Sequence, residues 1–170
     1  LKFLKYRIEN LVMYDLSLDS NFPDLVELKG AGNYDQGITR PISVTLKDTE
    51  HFRFETWEGE GVDPLDKTKT KVLIDANKTV TAQLVELVKL QVIVLPREAG
   101  TSDSSGTYDK GEEVDLKFES SFGWRFVQWE GPNIQDPTVP ETKIKLDADT
   151  SVIVICEEAK ELVFDLDETE

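Results

Sequence analysis

His51-Phe52-Arg53-Phe54-Glu55-Thr56-Trp57-Glu58-Gly59 and Gly123-Trp124-Arg125-Phe126-Val127-Gln128-Trp129-Glu130-Gly131 share the pattern aromatic-Arg-Phe-x-x-Trp-Glu-Gly, 72 residues apart. A pattern that recurs at such an interval restricts the chain to an array of similar modules, each much shorter than the whole.

The likeness runs well beyond the tryptophans. Tyr34-Asp35-Gln36-Gly37 precedes the first copy and Tyr108-Asp109-Lys110-Gly111 the second. Ile42, Val44 and Leu46 stand ahead of the first motif as Val114, Leu116 and Phe118 stand ahead of the second. Asp75-Ala76-Asn77-Lys78-Thr79-Val80 and Asp147-Ala148-Asp149-Thr150-Ser151-Val152 each begin 18 residues after the motif tryptophan. On this alignment the interval Gly37 to Ile42 is two residues longer than Gly111 to Val114, a difference expected in a loop, where insertions cost little.

The repeat sets the expected organisation: a first unit over 11–86 and a second over 87–160. Tyr6-Arg7-Ile8-Glu9 reads like Leu84-Val85-Glu86, so residues 1–10 are expected to be the last strand of a preceding unit. Residues 161–170 contain Leu162-Val163-Phe164 and are expected to be the first strand of a following one. Units of this size bury only about 60% of their unfolded surface and gain from neighbours.

Each unit carries 14 acidic and 8 basic residues, within a chain of net charge −15. A charge balance that repeats with the module reads as solubility more than as a focused site. Its sign opposes sequence-independent binding to nucleic acid and adhesion to anionic lipid. No apolar run is long enough to span a bilayer, so no direct membrane insertion is expected of this segment.

Period-two alternation dominates, as at Tyr14, Leu16 and Leu18 or Val80, Ala82 and Leu84, which reads as half-buried strands. The fold class expected is all-β, two tandem small antiparallel domains of sandwich-like form. Phe54 and Trp57 are three apart, so a regular strand would send them to opposite faces. A bulge near Glu55-Thr56, and likewise near Val127-Gln128, is expected to bring both rings to one core.

Catalytic readings find little material. The single His51 has Gly123 as its counterpart, and one His with one Cys cannot build a Ser-His-Asp, Cys-His or histidine-metal set. Cys156 stands where the first unit has Leu84, the place of a small buried apolar residue. Gly30-Ala31-Gly32 lacks the Gly-Lys-Ser/Thr of a phosphate loop. Trp57 and Trp129 are expected in cores, since modules this small need large side chains to fill them. Calcium is the one candidate cofactor. Asp15, Asp19 and Asp24, with Asp165, Asp167 and Glu168 near the equivalent place at the other end, are its candidate ligands.

These residues resemble the divergent internalin-B-type repeat, similar to the Listeria–Bacteroides repeats of bacterial surface proteins. The structural signature is carried by Tyr34, Gly37, Phe54, Trp57 and Gly59, and again by Tyr108, Gly111, Phe126, Trp129 and Gly131. The first copy departs by placing His51 where the second has Gly123. The resemblance implies a non-enzymatic module at the cell surface or outside the cell, with a β-grasp-like fold as the alternative to a sandwich. It implies a semi-rigid spacer, stalk or filament segment. The alternative is an adhesion module gripping a glycan or protein through the loops after the tryptophans, Glu60 to Lys67 and Pro132 to Pro140.

The expected partners are neighbouring repeats and other copies of the chain in an assembly. One difference between the units points to a surface: Thr81 and Gln83 of the first become Ile153 and Ile155 of the second, a candidate contact face.

Overall fold

The computed structural model describes residues 12–160, and the partial units expected at 1–10 and 161–170 lie outside the described residues. The chain divides into two compact units between Glu86 and Leu87.

The first unit contains β1 (Met13–Ser20), β2 (Val26–Lys29), β3 (Gly32–Asp35), β4 (Thr39–Leu46), β5 (Phe52–Glu58), β6 (Val62–Asp63), β7 (Lys69–Leu73) and the leading half of β8 (Lys78–Leu95). The second takes the trailing half of β8, then β9 (Gly100–Thr101), β10 (Gly106–Asp109), β11 (Glu113–Lys117), β12 (Glu119–Ser120), β13 (Trp124–Glu130), β14 (Glu141–Lys145) and β15 (Thr150–Glu158). The only helical turns among the described residues are two short 3-10 segments, Pro23–Leu25 and Arg97–Ala99. The all-β expectation is therefore met.

In the first unit one sheet runs β3-β1-β8-β5, and a second runs β2-β4-β7-β6. The two inner faces enclose one core. Leu16, Trp57, Val80, Ala82 and Leu84 come from the first sheet and Val26, Ile42, Val44, Val62 and Val72 from the second. The second unit repeats the plan as β10-β8-β15-β13 against β11-β14, with β9-β12 as a short ladder beside them. Its core gathers Val88, Leu90, Trp129, Val152 and Val154 against Val114, Leu116, Phe118 and Ile144. Apolar alternation thus buries one face of each sheet against the other, the sandwich layering.

Most ladders are antiparallel, but the first and last strands of each unit pair in parallel at the sheet centre. Leu18 lies beside Val80 in β1–β8, and Val92 beside Val152 in β8–β15. That central parallel pair needs the intervening chain to cross over, and the second sheet is the crossover.

The bulges fall where the three-residue spacing requires them. Register shifts between Phe54 and Thr56 on β5, and between Phe126 and Gln128 on β13. The rings then meet on one side, with Phe54 and Trp57 centroids 5.7 Å apart and Phe126 and Trp129 6.0 Å apart. Both bulges lie on edge strands, where an irregularity also discourages pairing with foreign strands.

The two-residue difference between the units lies elsewhere than the sequence alignment puts it. Arg40 pairs with Val72 across β4–β7, while Val114 pairs with Ile144 across β11–β14. Arg40 therefore takes the place of Val114, and Ile42 that of Leu116. The extra residues fall in the turn between β4 and β5, just before His51. A two-residue slip keeps every side chain on its own face, so the apolar pattern reads equally well in either alignment.

Candidate functional site

The recurring motif is a fastening device. Trp57 ends on the core with 1% of its surface exposed, and Trp129 with 2%. A buried indole needs an acceptor for its N–H. Trp57 Nε1 donates to the carbonyl of Lys67 at 2.8 Å, and Trp129 Nε1 to that of Val139 at 2.9 Å. The backbone N–H groups of the same residues donate to Leu65 and Pro137, at 2.9 and 2.8 Å. In both units the tryptophan thus holds the carbonyls eight and ten residues downstream. The loops after Trp57 and Trp129 differ in sequence, yet they follow one path because backbone atoms alone are gripped.

The glycine that follows is needed for closeness. A Cβ on Gly59 would stand 2.9 Å from Val80 Cγ2, and one on Gly131 2.7 Å from Val152 Cγ1. Gly37 and Gly111 answer a different demand: open space surrounds them, but their φ angles of +85° and +86° favour glycine. Each donates its N–H at 2.6 Å, Gly37 to Ile74 and Gly111 to Leu146, joining the Tyr-x-x-Gly turn to the residue that follows β7 in the first unit and β14 in the second by one position. The tyrosines close the turn at the other end of β3 and β10. Tyr34 Oη donates to the Gly30 carbonyl at 2.9 Å, and Tyr108 Oη to that of Ser104 at 2.8 Å, each four residues upstream.

A further role recurs in the turns before β8 and β15, each of which joins strands of different sheets. Asn77 Oδ1 accepts the backbone N–H of Asp15 at 2.8 Å, and Asp149 Oδ1 accepts that of Lys89 at 2.8 Å. The side chain at this crossing between sheets caps the first strand just before its parallel ladder begins. Its signal in the sequence is a side-chain oxygen recurring at this one position.

His51 and Gly123 build their turns differently. Gly123 has φ +84°. In the first unit Asp48 Oδ1 accepts the backbone N–H groups of Glu50 and His51, both at 3.0 Å, and its carboxylate meets His51 Nδ1 at 2.9 Å. These bonds, led by the one from the His51 backbone, hold the Asp48 carboxyl below its ordinary range. His51 is thus a turn partner. Cys156 is buried with its thiol pushed up by desolvation, the reverse of what a nucleophile needs.

Among the described residues, the calcium candidates Asp15, Asp19 and Asp24 form no metal-binding group. Asp15 Oδ1 accepts from Asn33 Nδ2, Asp19 Oδ1 from the Ser20 N–H, and Asp24 uses its backbone carbonyl to receive Lys47 Nζ. Among the described residues no three His, Cys, Asp or Glu side chains converge on a common point. Asp165, Asp167 and Glu168 lie outside the described residues.

Ile153 and Ile155 lie on the outer face of β15, half-buried. Directly beside them on β8 stand Ile93 and Leu95, which a comparison of last strands alone does not reveal. In the first unit Asp19 lies beside Thr81, and Asn21, just past the end of that ladder, bonds through its side chain to the backbone of Leu84.

No curated protein and no solved structure matches the chain. The family model described as the divergent InlB B-repeat domain matches residues 26–85 and again 90–157, one match to each unit. With the signature residues of both copies placed in equivalent structural roles, and most of its length covered by those two matches, the chain belongs to the divergent InlB B-repeat family.

Proposed function

We propose that this chain is a non-enzymatic structural segment of a bacterial surface protein, in which tandem modules act as a semi-rigid spacer or stalk. Repeats of this family belong to bacterial surface proteins, which supports the location. The observation that carries the spacer reading is β8: from Lys78 to Leu95 every residue is strand, so the chain passes from one module to the next without a loop. The single histidine, His51, is engaged with Asp48 in a turn, which supports the non-enzymatic reading.

Small-angle scattering from chains of two, four and six modules tests the proposal. A stalk gives a maximum dimension that grows in proportion to module number. Growth with the square root of that number, the behaviour of a flexible chain, would contradict it.

An adhesion role has one observation in its favour. A surface depression of about 690 Å3 in the second unit is lined by Gln135, Asp136 and Val139 of the loop after Trp129, with Asp115, Lys117 and Lys143 opposite. Its lining mixes polar and charged groups with the apolar Leu116 and Val139 and contains no aromatic ring on which a sugar would stack. A glycan array probed with the isolated chain tests this reading, and selective binding lost on Gln135→Ala would establish it.

A further inference from the structure

In each unit the first strand and the last are neighbours that run the same way, so the chain enters at one end of their shared ladder and leaves at the other. In the first unit that ladder runs from Leu16 beside Lys78 to Ser20 beside Ala82. In the second it runs from Leu90 beside Thr150 to Leu95 beside Ile155. The strands of the second sheet lie between these two in the chain, so they are strung off the line that joins its entry and its exit.

Tension along the chain therefore draws the start of β1 and the end of the leading half of β8 in opposite directions along the strand axis. Such a load slides one strand past the other, and the bonds of the ladder resist it together. Antiparallel terminal strands would put entry and exit at the same end, and the same tension would open their ladder one bond at a time.

Side chains lengthen the ladder at both ends in the first unit. Ahead of it, Asn77 Oδ1 accepts the Asp15 N–H at 2.8 Å. Beyond it, Asn21 Nδ2 donates to the Leu84 carbonyl at 2.8 Å, and the Leu84 N–H donates to Asn21 Oδ1 at 2.9 Å. In the second unit Asp149 makes the leading bond, to the Lys89 N–H, and Leu95 stands in the place of Asn21 as a rung of the ladder itself.

We propose that each unit is a tension clamp, in which the parallel pair of terminal strands bears the load along the chain and Asn21 pins the far end of the first clamp. A stalk held at one end and loaded at the other supplies that tension, so the clamp rests on the stalk reading for its setting, while its geometry belongs to each unit alone. The duty goes beyond spacing: the module stays folded while pulled. Forced unfolding follows the rate of unfolding and not the equilibrium stability, so a clamp bond differs from an ordinary stabilising bond in how it is loaded.

Single-molecule force spectroscopy of the full chain tests this. Handles at Val12 and Glu86 load the first ladder in shear. Handles at Val12 and Ala76 both sit at its starting end and open it bond by bond. The shear geometry is expected to need a several-fold higher force, a comparison that requires no variant. Asn21→Leu, which copies the residue of the second unit, removes both bonds to Leu84 and is expected to speed forced unfolding in shear by about tenfold. It should leave the Val12–Ala76 geometry unchanged, because there Asn21 is loaded last. Thr70 of β7 lies off the loaded line and donates its Oγ1 to the Pro64 carbonyl at 2.6 Å. Thr70→Val is therefore expected to lower the melting temperature without changing the unfolding rate in shear. Equal forces in the two geometries overturn the clamp. An unchanged rate for Asn21→Leu in shear, or an equal acceleration by Thr70→Val, overturns the role of Asn21. Scattering reads the joints between modules and force reads the ladder within one, so either proposal fails without the other.

Discussion

Trp129 donates its indole N–H to the carbonyl of Val139 and its backbone N–H to that of Pro137, and Trp57 does the same to Lys67 and Leu65. One residue thereby fills the core and pins a connection whose sequence is free to vary. Phe retains much of the filling but cannot donate. Trp57→Phe and Trp129→Phe are each expected to cost about 2–3 kcal/mol, combining a small cavity with a buried carbonyl left unpaired. Urea unfolding measures the loss. A change below about 0.5 kcal/mol would show that the indole bond is not what holds the loop.

Glycines at the two signature positions answer to different physics, and alanine separates them. At Gly131 the added Cβ collides with Val152, in addition to a φ of +157° that also favours glycine, so Gly131→Ala is expected to cost about 1–3 kcal/mol and to be partly rescued by Val152→Ala. At Gly111 space is free and only the left-handed backbone is opposed, so Gly111→Ala is expected to cost about 1–2 kcal/mol with no rescue from any neighbour. Equal rescue at both positions would overturn the distinction.

The cap on the first strand makes a third case. Asn77→Ala leaves the Asp15 N–H without its acceptor, and Asp149→Ala does so for Lys89, at an expected cost of about 1 kcal/mol each. Asn77→Asp, the residue of the other unit, is expected to be close to neutral. Hydrogen exchange at the Asp15 and Lys89 amides reads the local effect, and unaltered exchange in the alanine variants would contradict it.

Acid should weaken both units. Asp48, held low chiefly by the His51 backbone N–H, Asp75, held low by Lys78, and Asp136, held low by Thr138, all have folded pKa values below their unfolded ones. Such groups lend stability that is complete above the unfolded pKa, about 3.9, and is lost as pH falls through the folded value. The melting temperature is therefore expected to be flat with respect to these groups at neutral pH and to drop below about pH 4. Asp48→Asn and Asp136→Asn should each shrink that drop, because the neutral amide no longer titrates. An identical acid profile in the variants would show that these carboxylates do not set the acid response.

Much of this architecture is legible in the chain because apolar spacing dictates burial. The three-residue step from Phe54 to Trp57 demands a bulge, and one is there. Strand direction is not legible: alternation tells which face is buried but not which neighbour pairs or how it runs, so the parallel β1–β8 and β8–β15 ladders emerge only in three dimensions. The site of the two-residue difference is hidden for a related reason, since Ile42 aligned with Val114 or with Leu116 gives the same inward pattern. The face of Ile93 and Leu95 is half visible in the sequence, through Ile153 and Ile155. Its other half belongs to the first strand, and only the ladder sets the two side by side.

Whether the recurring tryptophan fastens a module or forms a site is decided by indole hydrogen exchange followed by NMR. As fasteners, Trp57 and Trp129 should both show strongly protected Nε1 protons, each becoming exposed only when its own unit unfolds. Rapid exchange of either proton in the folded chain would contradict the fastening role.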